Sequence, residues 1–329
     1  MVHLSIVVPC YNEADNLPRL LAALTPVVSD ITPEFEVILV DDGSRDATLD
    51  VLRQAHHEDA RIRFLSLSRN FGKESAMLAG LSQTRGAVVA IMDADLQHPP
   101  ELLTRMVPMI AEGYEQVVAR RNRQGDPVTR TLLARAFYPV MNRLIDVRLE
   151  DGAGDFRVLS DTAVRALLAL GEYNRFSKGL FSWIGFRTAT VEYDNAQRDS
   201  GSSRWRLRDL FNYGLDGLMS FNTKPLRLAI WIGAFATLVA LGYTAWVIWD
   251  AVLHGNSAPG YVTIITAVVA FGGIQMMMLG VIGEYLGRIY QETKGRPHFL
   301  IAESEAGRGS TPVSTPLGPG TSLPSDPGH

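Results

Sequence analysis

Short apolar runs alternate with stretches of helical periodicity along the first 120 residues of the chain. The runs are rich in Val, Ile and Leu, as buried strands are, whereas the stretches between them place apolar residues three and four positions apart. This alternation predicts an open, mostly parallel, doubly wound α/β sheet. The predicted strands are Leu4–Val8 (ended by Pro9), Phe35–Val40, Ile62–Leu67, Ala87–Met92 and Gln116–Ala119, and the predicted helices are Asn16–Leu24, Asp46–Ala55 and Lys73–Ser82.

Two much longer apolar stretches lie toward the C-terminus. Leu228–Trp249 has 22 residues and Gly260–Gly283 has 24, and neither stretch contains a charged side chain. At about 1.5 Å per residue each helix would reach roughly 33–36 Å, which exceeds the roughly 30 Å of a membrane's hydrocarbon core. The pattern therefore predicts a two-span transmembrane hairpin over residues 228–283, in preference to two buried helices of a soluble core.

Basic residues flank this hairpin on both sides, whereas the loop between its spans, Asp250–Pro259, contains no Lys or Arg. By the positive-inside rule both flanks are cytoplasmic. We therefore expect a multi-pass protein of the cytoplasmic (inner) membrane, with its N-terminal domain and both termini in the cytoplasm. The flanking basic residues are Lys224, Arg227, Arg288, Lys294 and Arg296.

The rest of the chain divides by composition. Residues 1–206 are expected to form the globular domain, and residues 207–227 an amphipathic segment in the membrane interface, because apolar residues recur there at helical spacing after several arginines. Leu132–Leu149 is a second candidate of this kind, with packing against the core as the alternative for both. Residues 284–302 would be a cytoplasmic segment, and residues 303–329, mainly Ser, Thr, Pro and Gly, a disordered tail.

Charge and cysteine content exclude several classes of protein. The net charge of −4 is unlike that of a generic nucleic-acid binder, so no nucleic-acid partner is expected. A single cysteine, Cys10, excludes an intramolecular disulfide, and no Cys/His cluster has the spacing of a zinc site. Arginines nevertheless concentrate within residues 120–148 and 198–208, which indicates local anion sites or a membrane-facing surface.

Acidic residues follow several of the predicted strands. The carboxyl ends of parallel strands line the ligand crevice of such sheets, so these side chains are expected to converge on one site. Asp93 and Asp95 would repel each other unless a cation lay between them, and carboxylate oxygens suit Mg²⁺ or Mn²⁺ that also holds phosphates. The alternative for this pair is a helix N-cap with surface charge.

Three further acidic residues are open to more than one interpretation. Asp41 and Asp42 precede a Gly-Ser turn, so one of them is expected to be structural and the other to face a ligand. Asp155 lies beside Gly154, which permits close approach of the backbone. It could act as a catalytic carboxylate or form an ion pair with Arg157.

Eight motifs resemble those of a known enzyme family. VVPCYNEADNL, VDDGSRDATLD, SRNFGKESAMLAGL, MDADLQHPPEL and GAGDFRVLS resemble glycosyltransferase family 2 with the GT-A fold. RFSKGLFSWIGF, RDSGSSRWRLRDLFNYGLDGLMSF and GVIGEYLGRIYQETKGRPHF resemble the membrane-bound polyprenyl-phosphate glycosyltransferases, especially the bactoprenol glucosyltransferases, which are close to the dolichol-phosphate mannose synthases. The similarity runs in order over about residues 4–300, and only the tail lies outside it.

The resemblance implies a role for each matching residue. The nucleotide base and ribose would be held by Pro9, Tyr11, Glu13 and Asp42. The metal and the diphosphate would be held by Asp93, Asp95 and Gln97. Other contacts near the donor would come from Lys73, Arg198 and Arg204. Catalysis is expected of Asp95 and of Asp155, the latter beside the sugar, and the acceptor phosphate would be held by Arg120 with Arg130 or Arg135.

The activity implied is an inverting transfer of a sugar to polyprenyl phosphate at the cytoplasmic membrane face, for cell-envelope glycan modification. UDP-glucose is the favoured donor and Mg²⁺ or Mn²⁺ the expected cofactor, with a GDP-mannose-dependent synthase as an alternative. A processive polysaccharide synthase would carry a Q-x-x-R-W motif, but Gly201 stands here at the Gln position. A non-enzymatic assembly partner would tolerate loss of the acidic residues, all of which are present. A homo-oligomer is expected from the family.

Overall fold

A computed structural model, which describes residues 3–122, 153–173, 175–193, 224–254 and 260–308, contains one nine-stranded sheet in the order β7-β5-β6-β4-β1-β2-β3-β8-β9. Its centre, from β4 to β3, is parallel, and β6 inserts antiparallel between β4 and β5. The strands are β1 (Leu4–Cys10), β2 (Phe35–Asp41), β3 (Ile62–Leu67), β4 (Val88–Ile91), β5 (Gln116–Arg121), β6 (Ala153–Ser160), β7 (Thr188–Tyr193), β8 (Ile301–Ser304) and β9 (Gly307–Arg308). The helices are α1 (Leu17–Ile31), α2 (Thr48–Glu58), α3 (Lys73–Leu81), α4 (Leu103–Ala111), α5 (Asp161–Ala169), α6 (Ser177–Trp183), α7 (Lys224–His254) and α8 (Tyr261–Thr293).

The end of β1 differs from the sequence expectation. The strand continues through Pro9 to Cys10, so Pro9 does not terminate it. Val7 is the last residue of β1 in the ladder with β4, and Pro9 therefore lies beyond the point where a backbone N–H would be needed on that side. On the opposite side Pro9 is in register with Val40 of β2.

Helices cover both faces of the sheet, as a doubly wound fold requires. α1, α2 and α4 pack on one face, and α3, α5 and α6 on the other. Helical spacing places four apolar residues of α1 in the core: Leu17, Leu20, Leu24 and Val28. α3 approaches β1 so closely that a Cβ at Gly80 would lie 2.3 Å from Val7 Cγ1.

The chain returns to the sheet after α8. β8 pairs antiparallel with β3, and the side chain of Phe299, just before β8, is buried in the apolar cluster between the sheet and α3. Glu303 forms an ion pair with Arg53 of α2 at 2.8 Å, and Glu305 pairs with Arg63 of β3 at 2.7 Å. The C-terminal segment thus completes one edge of the N-terminal domain.

This return corrects the predicted start of the disordered tail. Residues 303–308 belong to β8, β9 and their turn. Their composition alone favours disorder because they contain no large apolar side chain, and their order comes from strand pairing and the two ion pairs instead. Residues 309–329 lie outside the described part of the chain.

α7 and α8 cover the two long apolar stretches. α7 contains all of Leu228–Trp249, and α8 begins directly after its N-cap Gly260. Large apolar side chains are exposed on both helices, including Trp231 at 73% and Met276 at 70%. Over the residues that the structure describes, no helix meets the combined length and hydropathy of a membrane span.

The last turn of α8 contacts the N-terminal domain. The carboxylate of Glu292 accepts the backbone N–H of Tyr173 at 2.9 and 3.0 Å, and the ring of Tyr173 stacks on that of His298. The predicted interfacial segment Leu132–Leu149 lies outside the described residues. Of the other predicted interfacial segment, residues 207–227, only residues 224–227 are described, and they form the start of α7.

A candidate active site at the carboxyl ends of the strands

A pocket of about 350 Å³ opens where β1, β2 and β4 end. Parallel strands deliver their following loops to the same edge of the sheet, which is why residues distant in sequence meet there. The lining residues are Pro9, Cys10, Tyr11, Glu13, Asp42, Asn70, Gly72, Lys73, Ala76, Asp93, Ala94 and Asp95. The structure therefore brings together seven of the residues singled out from sequence: Pro9, Tyr11, Glu13, Asp42, Lys73, Asp93 and Asp95.

The loop after β1 is held against the loop after β2. Asn12 adopts a positive φ of 55°, a conformation that Asn tolerates better than most residues. Its backbone N–H donates to Ser44 Oγ at 2.9 Å, and its side-chain oxygen accepts the backbone N–H of Arg45 at 2.9 Å. Burial, with a smaller contribution from the charge of Asp95, raises the pKa of Glu13 despite a hydrogen bond from Asn16. These contacts fix one wall of the pocket.

Asp41 and Asp42 have different tasks. Asp41 accepts the backbone N–H of Ser44 at 2.9 Å and the hydroxyl of Ser66 at 2.8 Å, so it shapes the turn. Asp42 lines the pocket and accepts the backbone N–H groups of Phe71 at 2.7 Å and Gly72 at 2.9 Å. Burial raises the pKa of Asp42, although those two hydrogen bonds oppose the shift. Asp42 thereby holds the loop that leads into Lys73.

Lys73, the first residue of α3, links the ends of two strands. Its Nζ lies 2.6 Å from Asp93 Oδ1, after β4, and 2.6 Å from Asp155 Oδ2, near the start of β6. β6 runs antiparallel to β4, so its first residues reach the same edge of the sheet. Burial disfavours the charged form of Asp155, but the ammonium outweighs it and holds the pKa of this carboxyl below its usual range.

Asp95 is exposed and is bonded within its own loop. The backbone N–H of Gln97 donates to Asp95 Oδ1 at 3.1 Å, and the Gln97 side-chain amide donates to Asp95 Oδ2. The helical turn that follows begins at Pro100, so neither Asp93 nor Asp95 serves as an N-cap. Leu96, between Asp95 and Gln97, has a φ of 56°, which strains a leucine and fixes the shape of the loop.

The donor set here suits a cation shared with a ligand. Among the described residues, no group of three or more His, Cys, Asp and Glu side chains is placed to hold a metal ion. Mg²⁺ is usually bound by one or two protein carboxylates together with substrate phosphates, and it does not need such a group. An ammonium already occupies the space between Asp93 and Asp155, so the site accepts positive charge.

A polar cluster beside this site includes three residues that were not singled out from the sequence: Glu74, Ser177 and Lys178. Glu74, next to Lys73, accepts the backbone N–H of Ser177 at 3.3 Å and also its hydroxyl. Lys178, next to Ser177, interacts electrostatically with Asp155. Arg157 lies 3.5 Å above the ring of Phe181 and donates to the Gly154 carbonyl at 2.8 Å. Glu74 lies in the motif FGKES, and Ser177 and Lys178 lie in the motif RFSKG. The contact between these two motifs is what could not be predicted from the sequence.

Glu74 is expected to make stability fall as the pH rises. Burial, and then the negative charge of Asp155, raises the pKa of Glu74 from 4.5 to about 7. Between these values the unfolded chain has released this proton and the folded chain retains it, so the free energy of unfolding decreases by roughly 1–3 kcal/mol as the pH rises. Glu74→Gln should flatten this part of the profile of Tm against pH, whereas Glu112→Gln, an exposed control, should not. Parallel profiles for wild type and Glu74→Gln would contradict the assignment.

The remaining predicted residues fall into two groups. Arg120 lies at the end of β5, beside the β6 start, and pairs with Glu192 of β7. Near it, His98 Nδ1 lies 2.5 Å from the hydroxyl of Tyr193. The other predicted phosphate-binding residues lie outside the described part of the chain: Arg130, Arg135, Arg198 and Arg204.

The chain is similar over most of its length to known glycosyltransferases. Residues 5–168 match Glycosyl transferase family 2, and residues 224–289 match the family described as GtrB C-terminal hairpin. The glycosyltransferase CsbB of Bacillus subtilis (strain 168) is 46% identical, over 95% of this chain and 95% of that protein. The bactoprenol glucosyl transferase of Shigella phage SfX is 38% identical, over 91% of this chain and 98% of that protein.

Among solved structures, glucosyl-3-phosphoglycerate synthase from Mycobacterium tuberculosis, in complex with Mn²⁺, UDP-glucose and phosphoglyceric acid, is 21% identical. The match covers 66% of this chain and 78% of that one, with a TM-score of 0.42.

Proposed function

This chain belongs to glycosyl transferase family 2, and we propose that it transfers a sugar from a nucleotide donor to polyprenyl phosphate. The observation that carries the proposal is the pocket at the strand ends, whose lining residue Lys73 contacts both Asp93 and Asp155. Relatives named bactoprenol glucosyl transferase align over nearly their whole length and support the lipid acceptor. UDP-glucose is the proposed donor, and GDP-mannose is the alternative.

The donor would lie in the pocket with its nucleoside toward the β1 and β2 loops. Tyr11, 41% exposed, offers a ring face to the base, and Glu13 and Asp42 offer acceptors for base or ribose hydrogens. Pro9 lines the pocket beside them. The diphosphate would then face Lys73 and the loop of Asp93 and Asp95. Arg198 and Arg204 are proposed as further diphosphate contacts.

Asp93 and Asp95, with Gln97, would hold Mg²⁺ or Mn²⁺. When bound, the cation would offset the negative charge that develops on the departing nucleoside diphosphate. In the free protein both carboxylates already have partners: Lys73 contacts Asp93, and Gln97 contacts Asp95. The hydrogen bonds from Gln97 keep the Asp95 carboxylate in one orientation before a substrate arrives.

Asp155 is proposed to orient the reactants beside the anomeric carbon and not to act as a strong base. Its lowered pKa, caused by Lys73, makes it a poor proton acceptor at neutral pH. Strong base catalysis is unnecessary, because a phosphate monoester with a second pKa near 6 is largely a dianion at pH 7. Direct displacement by this dianion would invert the anomeric carbon.

The acceptor phosphate is proposed to bind Arg120 with Arg130 or Arg135. Arg120 stands at the same sheet edge as Asp155, where its guanidinium could exchange Glu192 for a phosphate.

The lipid tail of the acceptor needs an apolar environment near the site. We propose that α7 and α8 supply it as a membrane hairpin, supported by the uncharged stretch in each helix and the exposed tryptophans of α7, with the catalytic domain on the cytoplasmic face. Assembly of several copies through these helices is part of the same proposal.

A donor panel tests the proposed reaction. The purified full-length chain would be incubated with polyprenyl phosphate, Mg²⁺ or Mn²⁺, and each of UDP-glucose, UDP-galactose, UDP-GlcNAc and GDP-mannose. We expect a lipid-phosphate-sugar from UDP-glucose and its loss on adding EDTA. Transfer from GDP-mannose alone would favour the mannose-synthase alternative, and no transfer from any donor that binds would overturn the proposed acceptor.

A further inference from the structure

Lys73 contacts two carboxylates that have different roles in the proposed reaction. Asp93 belongs to the metal and diphosphate site and Asp155 to the sugar, yet the Lys73 ammonium lies 2.6 Å from an oxygen of each. Building on the proposed function, we infer that Lys73 competes with the divalent cation for Asp93 in the free enzyme. Binding of the donor diphosphate then draws Lys73 away, so that metal and donor bind cooperatively.

The geometry makes simultaneous occupancy unfavourable. A divalent cation bound to Asp93 through the same oxygen, at about 2.1 Å, would lie within about 5 Å of the ammonium. Two positive charges at that separation repel strongly in a partly buried site. The cation therefore binds Asp93 tightly only after Lys73 has moved.

The Lys73 ammonium can turn away from Asp93 into the pocket. Its side chain is 41% exposed and lines the cavity in which the diphosphate would lie. A lysine is a compact charge on a flexible stem, so its ammonium can exchange a carboxylate for a phosphate without movement of the backbone. A diphosphate thus removes the competitor and adds ligand oxygens at the same step.

The surrounding contacts confine this exchange to the side chain. Before Lys73, the backbone N–H of Gly72 is bonded to Asp42 at 2.9 Å. After Lys73, the Glu74 carboxylate is bonded to Ser177 at the start of α6. With its backbone held on both sides, Lys73 is a positioning residue for the metal ligand Asp93 as well as a contact for the donor.

The test is Mn²⁺ binding, followed by the electron paramagnetic resonance signal of free Mn²⁺, with full-length protein in detergent. Binding is measured without and with UDP, corrected for Mn²⁺ held by UDP in solution. Lys73→Met should bind Mn²⁺ about tenfold more tightly than wild type when UDP is absent, and UDP should strengthen its binding by a correspondingly smaller factor. Lys73→Arg, which keeps the charge, should restore the weak binding of the free enzyme.

One matched control variant separates the possible outcomes. Lys178→Met removes a charge that interacts with Asp155 and should change Mn²⁺ affinity far less than Lys73→Met does. An equal effect of both variants, or no tightening in Lys73→Met, would overturn the inference while leaving the metal site in place. Absence of Mn²⁺ binding in wild type and in Lys73→Met, with UDP present, would instead overturn the metal-dependent function on which the inference rests.

Discussion

Asp95→Asn is expected to lower kcat/KM for sugar transfer by about 10³-fold, which corresponds to roughly 4 kcal/mol of lost transition-state stabilisation. The substitution removes a negative charge from the proposed metal site but keeps an oxygen that can accept the Gln97 backbone N–H now bonded at 3.1 Å. Asp95 is exposed, so the fold should be unaffected. Steady-state kinetics over a range of Mn²⁺ concentrations would measure the loss and reveal any rescue by excess metal.

Glu101→Gln is the matched control for Asp95→Asn. It removes one exposed carboxylate from the turn that follows the same loop, without touching the pocket. Its kcat/KM should stay within about twofold of wild type, as for most surface substitutions. If Asp95→Asn behaved like this control, the assignment of Asp95 to the metal site would be wrong.

Gly43→Ala should be among the most destabilising substitutions outside the core. Gly43 has a φ of 65°, and a Cβ there would lie 2.3 Å from the backbone carbonyl carbon of Arg69. The left-handed conformation costs alanine about 1–2 kcal/mol, and displacement of the facing backbone adds to it, so a total loss of about 3 kcal/mol or more is expected. Asn70, also facing Gly43, lines the pocket, so affinity for UDP should fall together with Tm.

Gly113→Ala separates the two causes of that loss. Gly113 also has a positive φ, of 88°, but the nearest atom to an added Cβ is Arg187 Nη1 at 3.8 Å. The variant should therefore lose only the conformational part, and its affinity for UDP should not change. Similar losses of Tm in Gly43→Ala and Gly113→Ala would mean that the contact with Arg69 is unimportant.

The central sheet could be predicted from sequence because each of its strands is a compact apolar run. The five predicted strands correspond to β1 to β5, with ends that differ by at most two residues. The convergence of Asp42, Asp93 and Asp95 followed from one rule about parallel strands and needed no coordinates. The position of each carboxylate shortly after a predicted strand was thus enough to place all three at the same edge of the sheet.

The edges of the sheet and the Lys73 contacts could not be predicted in the same way. β7 and β8 contain no compact apolar run, and they become strands only because a partner edge is available. Lys73 meets Asp155 across 82 residues of sequence, and Glu74 meets Ser177 across 103. Such contacts depend on where α3 and α6 pack, which no local pattern records.

The strand that closes the sheet after α8 limits how this enzyme can be cut into parts. A recombinant fragment ending before α7 would lack β8 and Phe299, exposing the outer backbone groups of β3 and part of the cluster under α3. Unpaired strand edges of this kind invite self-association. A version without the two long helices would therefore have to splice residues 297–308 back onto the N-terminal domain through a linker.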